Sequence, residues 1–106
     1  MNNLQIFKNE KFGEIRAIEM KNEPWFVAKD VCEILELTNT TVAIQNLDED
    51  EVTKLNLGSQ YGETNFINES GLYTLIIRSR KPEAKKFRKW VTNEVLPSIR
   101  KTGGYI

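Results

Sequence analysis

The spacing of apolar residues changes abruptly at Ala28, and this change constrains the fold more than any other feature of the chain. Before it, "LQIF", "EIRAIEM" and "WFVA" alternate apolar and polar positions, as strands with one buried face do. The stretches between them, "KNEKFG" and "KNEP", carry the Asn, Gly and Pro of turns. Three short strands in an antiparallel meander are expected. From Ala28 onward, Ala28, Val31, Cys32 and Leu35 fall on one helical stripe. Asp30 and Glu33 then lie in the early turns, where the helix dipole favours anions. A second short helix is expected after "LTN", capped by Asn39 or a nearby threonine and carrying Val42, Ile44 and Leu47.

Further along, "VTKLNL", "GSQYG" and "ETNFIN" read as a β-hairpin with a Gly-bounded loop. "ESGLYTLIIRS" returns to helical spacing through Leu72, Leu75 and Ile76, with Tyr73 alongside. Pro82 suits the first turn of another helix, where its missing N–H is not needed. That helix is expected to run to about Asn93, and Pro97 to begin or kink a last one through Arg100 before Gly103 and Gly104 stop it. The fold class is therefore α+β: a small N-terminal antiparallel β-sheet, made of the meander and the later hairpin, packed with several short helices and followed by a helical C-terminal part. A chain of 106 residues suits a single domain over residues 1–106 with one core, since domains usually run to about 100 to 150 residues.

Composition removes much chemistry. There is no histidine and only one cysteine, so the usual general base, the commonest zinc ligand and any intrachain disulfide framework are missing. Cys32 lies on the apolar stripe and reads as a core residue, with no neighbouring base to make it a nucleophile. No glycine-rich phosphate loop, catalytic triad or metal-ligand spacing is present, so no cofactor, metal or small-molecule substrate is expected. No apolar run approaches the roughly 18 residues that span a bilayer, and the start lacks the charged and apolar regions of a signal peptide. The expectation is an intracellular protein without a membrane partner.

A net charge of zero conceals a division along the chain. Before residue 70 there are thirteen acidic residues against six basic ones, a balance of −7; from residue 70 onward there are two against nine, a balance of +7. Such asymmetry points to a polyanion partner or to mutual satisfaction of the two halves. The densest basic stretch is "RSRKPEAKKFRKW", Arg78 to Trp90. On a helical wheel at about 100° per residue, Ala84, Phe87, Trp90 and Val91 share an arc of roughly 120°, and Lys85, Lys86, Arg88 and Lys89 fill roughly 160° opposite. The aromatics belong to the core. An ordinary solvated face would explain the segregation but not the sign bias, because no acidic residue offers i,i+4 pairing and Lys81, Lys85 and Lys86 oppose the dipole near the helix start. Phosphate binding and an acidic protein partner both remain open for this face.

Three other features carry bland and functional readings together. The helix, turn and helix from Ala28 to Leu47 resembles a DNA-reading unit in outline, with Asn39, Thr40, Thr41 and Gln45 placed to contact bases or phosphates, but a structural helix pair explains it as well. The acidic "DEDE" run, Asp48 to Glu51, lacks the ligand alternation of a calcium loop and reads as a solvated turn. Arg16 and Asp30 each sit among apolar positions and are expected to pair structurally.

Taken together, "FGEIR" (Phe12 to Arg16), "PWFVAKDVCEIL" (Pro24 to Leu35), "FINESGLYTLIIRSRKPEAKKFRKWV" (Phe66 to Val91) and "EVLPSIRKTGGY" (Glu94 to Tyr105) resemble the BRO family N-terminal domain (Bro-N) of phage antirepressors and related large-DNA-virus proteins. The resemblance spans almost the entire chain in motif order, with poorer agreement in "GSQYGET" and around Asn39. It implies a non-enzymatic DNA-binding domain of a phage or prophage antirepressor, working in the cytoplasm of a bacterial host in the switch between lysogeny and lysis. Such a domain is commonly joined to a variable C-terminal domain, so this chain could be excised from a longer protein. The partner would be double-stranded DNA, with phosphates held by Lys81, Lys85, Lys86, Arg88 and Lys89 and the field extended by Arg78, Arg80, Arg100 and Lys101. The alternative is a protein-interaction module that binds a phage repressor, or pairs with itself as a homodimer, without touching DNA.

Overall fold

The computed structural model describes residues 4–57 and 62–102. β1 (Gln5–Asn9), β2 (Gly13–Met20) and β3 (Glu23–Val27) form the expected meander. Lys21 and Asn22 close the second hairpin with φ of 53° and 64°, the left-handed pair that matches strand twist in a two-residue turn. α1 (Ala28–Ile34) follows β3 without a loop, and α2 (Thr40–Gln45) follows after five residues. The side chain of Asn39 accepts the Val42 N–H at 3.1 Å, which makes it the cap of α2.

The later hairpin joins the same sheet. β4 (Val52–Asn56) pairs with β5 (Glu63–Asn68), and β5 lies against β3, so five antiparallel strands run in the order β1-β2-β3-β5-β4. Part of the expected "GSQYG" loop lies outside the described residues, as do Gly103 and Gly104. α3 (Glu69–Arg78) starts directly from β5, capped by Asn68, whose side chain accepts the Gly71 N–H at 2.9 Å.

Alternation in the strands sends residues to two apolar clusters. Ile15, Ala17, Phe26 and Ile67 meet the helices in the main core, with Val31, Cys32, Leu72, Leu75, Phe87, Val91, Val95 and Ile99. Ile18, Val27 and Phe66 lie on the opposite face and are closed over by half-buried Leu4, Met20, Trp25, Leu55 and Leu57. Cys32 has no exposure, and burial pushes its thiol up, so it packs as a small apolar side chain.

Of the two expectations at Pro97, a fresh start or an irregularity within a helix, the structure shows the second. α4 (Ala84–Trp90) does not stop at Asn93 but passes through a π turn, Val91–Val95, into α5 (Leu96–Thr102). Leu96 donates its N–H to the Val91 carbonyl, five residues back. Pro97 has no N–H to offer, and its ring would crowd the carbonyl four residues earlier in a regular helix. A widened turn just before it absorbs that conflict and keeps Val91, Val95 and Ile99 in the core. Among the described residues no helix is long and apolar enough to cross a membrane.

Candidate nucleic-acid interface

The basic residues are placed by what holds their elements down. Phe87 and Trp90 are buried under α4, with centroids 6.1 Å apart, and Phe12 from the β1–β2 turn contacts both, edge-on to Phe87 at 5.6 Å and stacked on Trp90 at 5.9 Å. This three-ring contact fixes the rotation of α4. Lys85, Lys86, Arg88 and Lys89 are consequently all exposed. None of the four forms an ion pair among the described residues, so their charge is directed at solvent.

Other cations are tied into the fold. The Lys81 ammonium donates to the Ile34 carbonyl at 2.9 Å and pairs with Glu36 at 3.3 Å. There it stabilises the end of α1, where Glu36 takes φ 56° and the Leu37 N–H reaches back to the Cys32 carbonyl at 2.8 Å. Arg100 pairs with Glu69 at 3.4 Å, and the same carboxylate accepts the Tyr73 hydroxyl at 3.0 Å. Burial, reinforced by that bond, pushes Tyr73 up to about 12. Arg78 donates to the Asn46 carbonyl at 3.3 Å, while Arg80 and Lys101 are exposed. The acidic and basic parts of the sequence thus meet through Lys81 and Arg100, whereas the outer face of α4 is left out of that exchange.

The candidate contact residues do not converge on one cleft. Thr40 and Thr41 line a cleft of about 420 Å³ with Arg16, Lys29, Glu63 and Asn65. Arg78, Arg80 and Lys81 line a different one beside Glu36 and Leu37. Lys86 and Lys89 border a third, facing Asn9 and Lys11 of the β1–β2 turn. Gln45 is exposed on α2, and the Asn39 side-chain oxygen is committed to its cap. Lys11, in the β1–β2 turn, and Lys29, on α1, were not legible as partners of these groups, since only the fold brings them near.

The supporting charges behave as structure. Arg16 binds Asp30 through two guanidinium nitrogens at 2.9 Å each, and the Arg16 N–H adds a third bond of 2.9 Å. The "DEDE" run is a solvated turn only in part: Asp48, Glu49 and Asp50 are exposed, but Glu51 is buried. Its carboxylate accepts the Ser70 hydroxyl at 2.6 Å and the Asp48 N–H at 2.8 Å. Those two bonds hold it below the usual carboxylate range. The turn leads into β4 with Asp48 and Glu51 at the spacing of a capping box, whereas the Ser70 contact shows only in the fold.

The model of "BRO family, N-terminal domain" matches residues 14–97. An "Uncharacterized protein" of Haemophilus influenzae is 50% identical over 101 residues, covering 92% of this chain and 50% of that protein. The "Putative Bro-N domain-containing protein 019R" of Invertebrate iridescent virus 3 is 35% identical over 116 residues, covering 86% of this chain and 29% of the viral protein. Protein 289L of Invertebrate iridescent virus 6, with the same description, is 34% identical over 113 residues, covering 87% and 27%. The chain therefore spans half or less of the length of these curated relatives. No solved structure matches it.

Proposed function

The chain belongs to the BRO family, as an N-terminal domain of that family, and on that premise we propose that it is a DNA-binding module of a phage-type antirepressor. The observation that carries the proposal is the outer face of α4: four exposed cations with no ion pair among the described residues, on a helix whose rotation three aromatic rings fix. Leaving such a face unneutralised costs stability through self-repulsion, and a polyanion relieves it by counterion release.

Lys85, Lys86, Arg88 and Lys89 contact phosphates in this proposal. Arg78, Arg80, Arg100 and Lys101 extend the field, with Lys81 contributing from the link between α3 and α4, its ammonium held at the end of α1. Asn39, Thr40, Thr41 and Gln45 are secondary candidates for base or phosphate contact, because α2 is a helix of six residues and bears no cation. Binding positions the domain through the backbone of the duplex, with no chemical step. A longer protein containing this domain would use it to bring a second region to a prophage operator.

The test is charge reversal. Lys85→Glu with Lys89→Glu should weaken binding to mixed-sequence and operator duplexes alike by at least tenfold at about 100 mM salt. If the double variant binds DNA like the parent, or a phage repressor is pulled down equally by both while neither binds DNA, the domain is a protein-interaction module instead.

A further inference from the structure

We infer that the β1–β2 turn and α4 together form a phosphate clamp, in which Lys11 and Lys86 take one phosphodiester of the DNA backbone between them. This rests on the DNA-binding reading and adds an element that the basic stretch alone does not contain. Asn9 builds the turn: its side-chain oxygen accepts the N–H groups of Lys11 at 2.8 Å and Phe12 at 3.1 Å, and Gly13 closes it with φ 90°. Phe12 then anchors the turn on Phe87 and Trp90. With the residues on either side fixed, Lys11 is set opposite α4, and it lines a cleft with Lys86, Lys89, Asn9, Asn93 and Glu94.

Two ammonium groups lining one cleft repel each other, and neither Lys11 nor Lys86 forms an ion pair among the described residues. The neighbouring Lys86 is the main cause that lowers the Lys11 pKa, and Lys81 adds to it, while Glu83 opposes it. Lys89 adds a third cation to the cleft, and Glu94 is the carboxylate at its margin. An anion between Lys11 and Lys86 turns that repulsion into attraction on both sides, which outweighs its approach to the single carboxylate of Glu94 at the margin. A phosphodiester, with a full charge and no proton to lose at neutral pH, is the simplest occupant.

The experiment follows lysine side-chain NMR signals through an alkaline titration of the whole chain, alone, with inorganic pyrophosphate and with duplex DNA. Lys11 should titrate below the ordinary lysine value in the free protein and move to higher pH with either ligand, while the signal of Lys54, on the edge strand β4, should not respond to either ligand. In parallel, Lys11→Gln should reduce the slope of log binding constant against log salt by about one, and Lys54→Gln should not. If the parent binds DNA but Lys11 moves with neither ligand and its variant keeps the full slope, the clamp is wrong and the DNA reading stands. If DNA does not bind but pyrophosphate still shifts Lys11, the DNA reading fails while the anion site survives. A shift with pyrophosphate and none with DNA would overturn the duplex backbone as the occupant.

Discussion

At the scale of single residues, buried charge is the most decisive feature of this molecule. Asp30 and Arg16 keep only 12% and 28% of their side-chain surface, so each depends on the other for what water would otherwise supply. Asp30→Asn should cost about 2 kcal/mol in denaturant unfolding, with little change in DNA binding. Glu51 gives a pH signature. Its folded pKa lies below the ordinary value of 4.5, so the folded state binds fewer protons than the unfolded chain. The stability it contributes is present above that ordinary value and is lost as pH falls through the lowered one. Acid unfolding monitored by circular dichroism should therefore show a smaller stability loss below pH 4.5 in Glu51→Gln than in the parent, though the variant starts less stable. The Arg16–Asp30 pair was legible from two charges set among apolar neighbours. The Glu51 cap was not, because Ser70, its strongest partner, lies 19 positions away.

At the scale of elements, the places where local sequence is under strain mark where the fold overrides propensity. The β2–β3 hairpin uses Lys21 and Asn22 at left-handed positions, which favour Asn followed by Gly. Lys21→Asn with Asn22→Gly should stabilise the protein by about 1 kcal/mol, raising the thermal midpoint without altering the strand register. Strand and helix periodicity foretold the five strands and the α-helices, but not the helical turn at Glu49–Glu51 or the π turn at Val91–Val95. The joining of the hairpin to the meander was beyond reach, because pairing of β5 with β3 is a long-range event that periodicity does not encode. The π turn that carries α4 into α5 was hidden for a related reason. Pro97 normally ends a regular helix, and only burial of Val91 and Val95 makes a π turn worth forming.

For the whole molecule, the acidic and basic halves are neither fully paired nor fully apart. Lys81 and Arg100 are drawn into contacts with Glu36 and Glu69, and the remaining positive charge is concentrated on the outer side of α4. A helical wheel predicted which side of that helix is wet. It did not show that the β1–β2 turn stands beside it, or that the other candidate contacts open onto different clefts. The most direct measurement is the salt dependence of duplex binding by the parent chain. Four phosphate contacts from α4 predict a slope of log binding constant against log salt of about −3 to −4 between roughly 50 and 200 mM. A slope near zero, or no binding at the lowest salt, would contradict the assignment of this face to DNA.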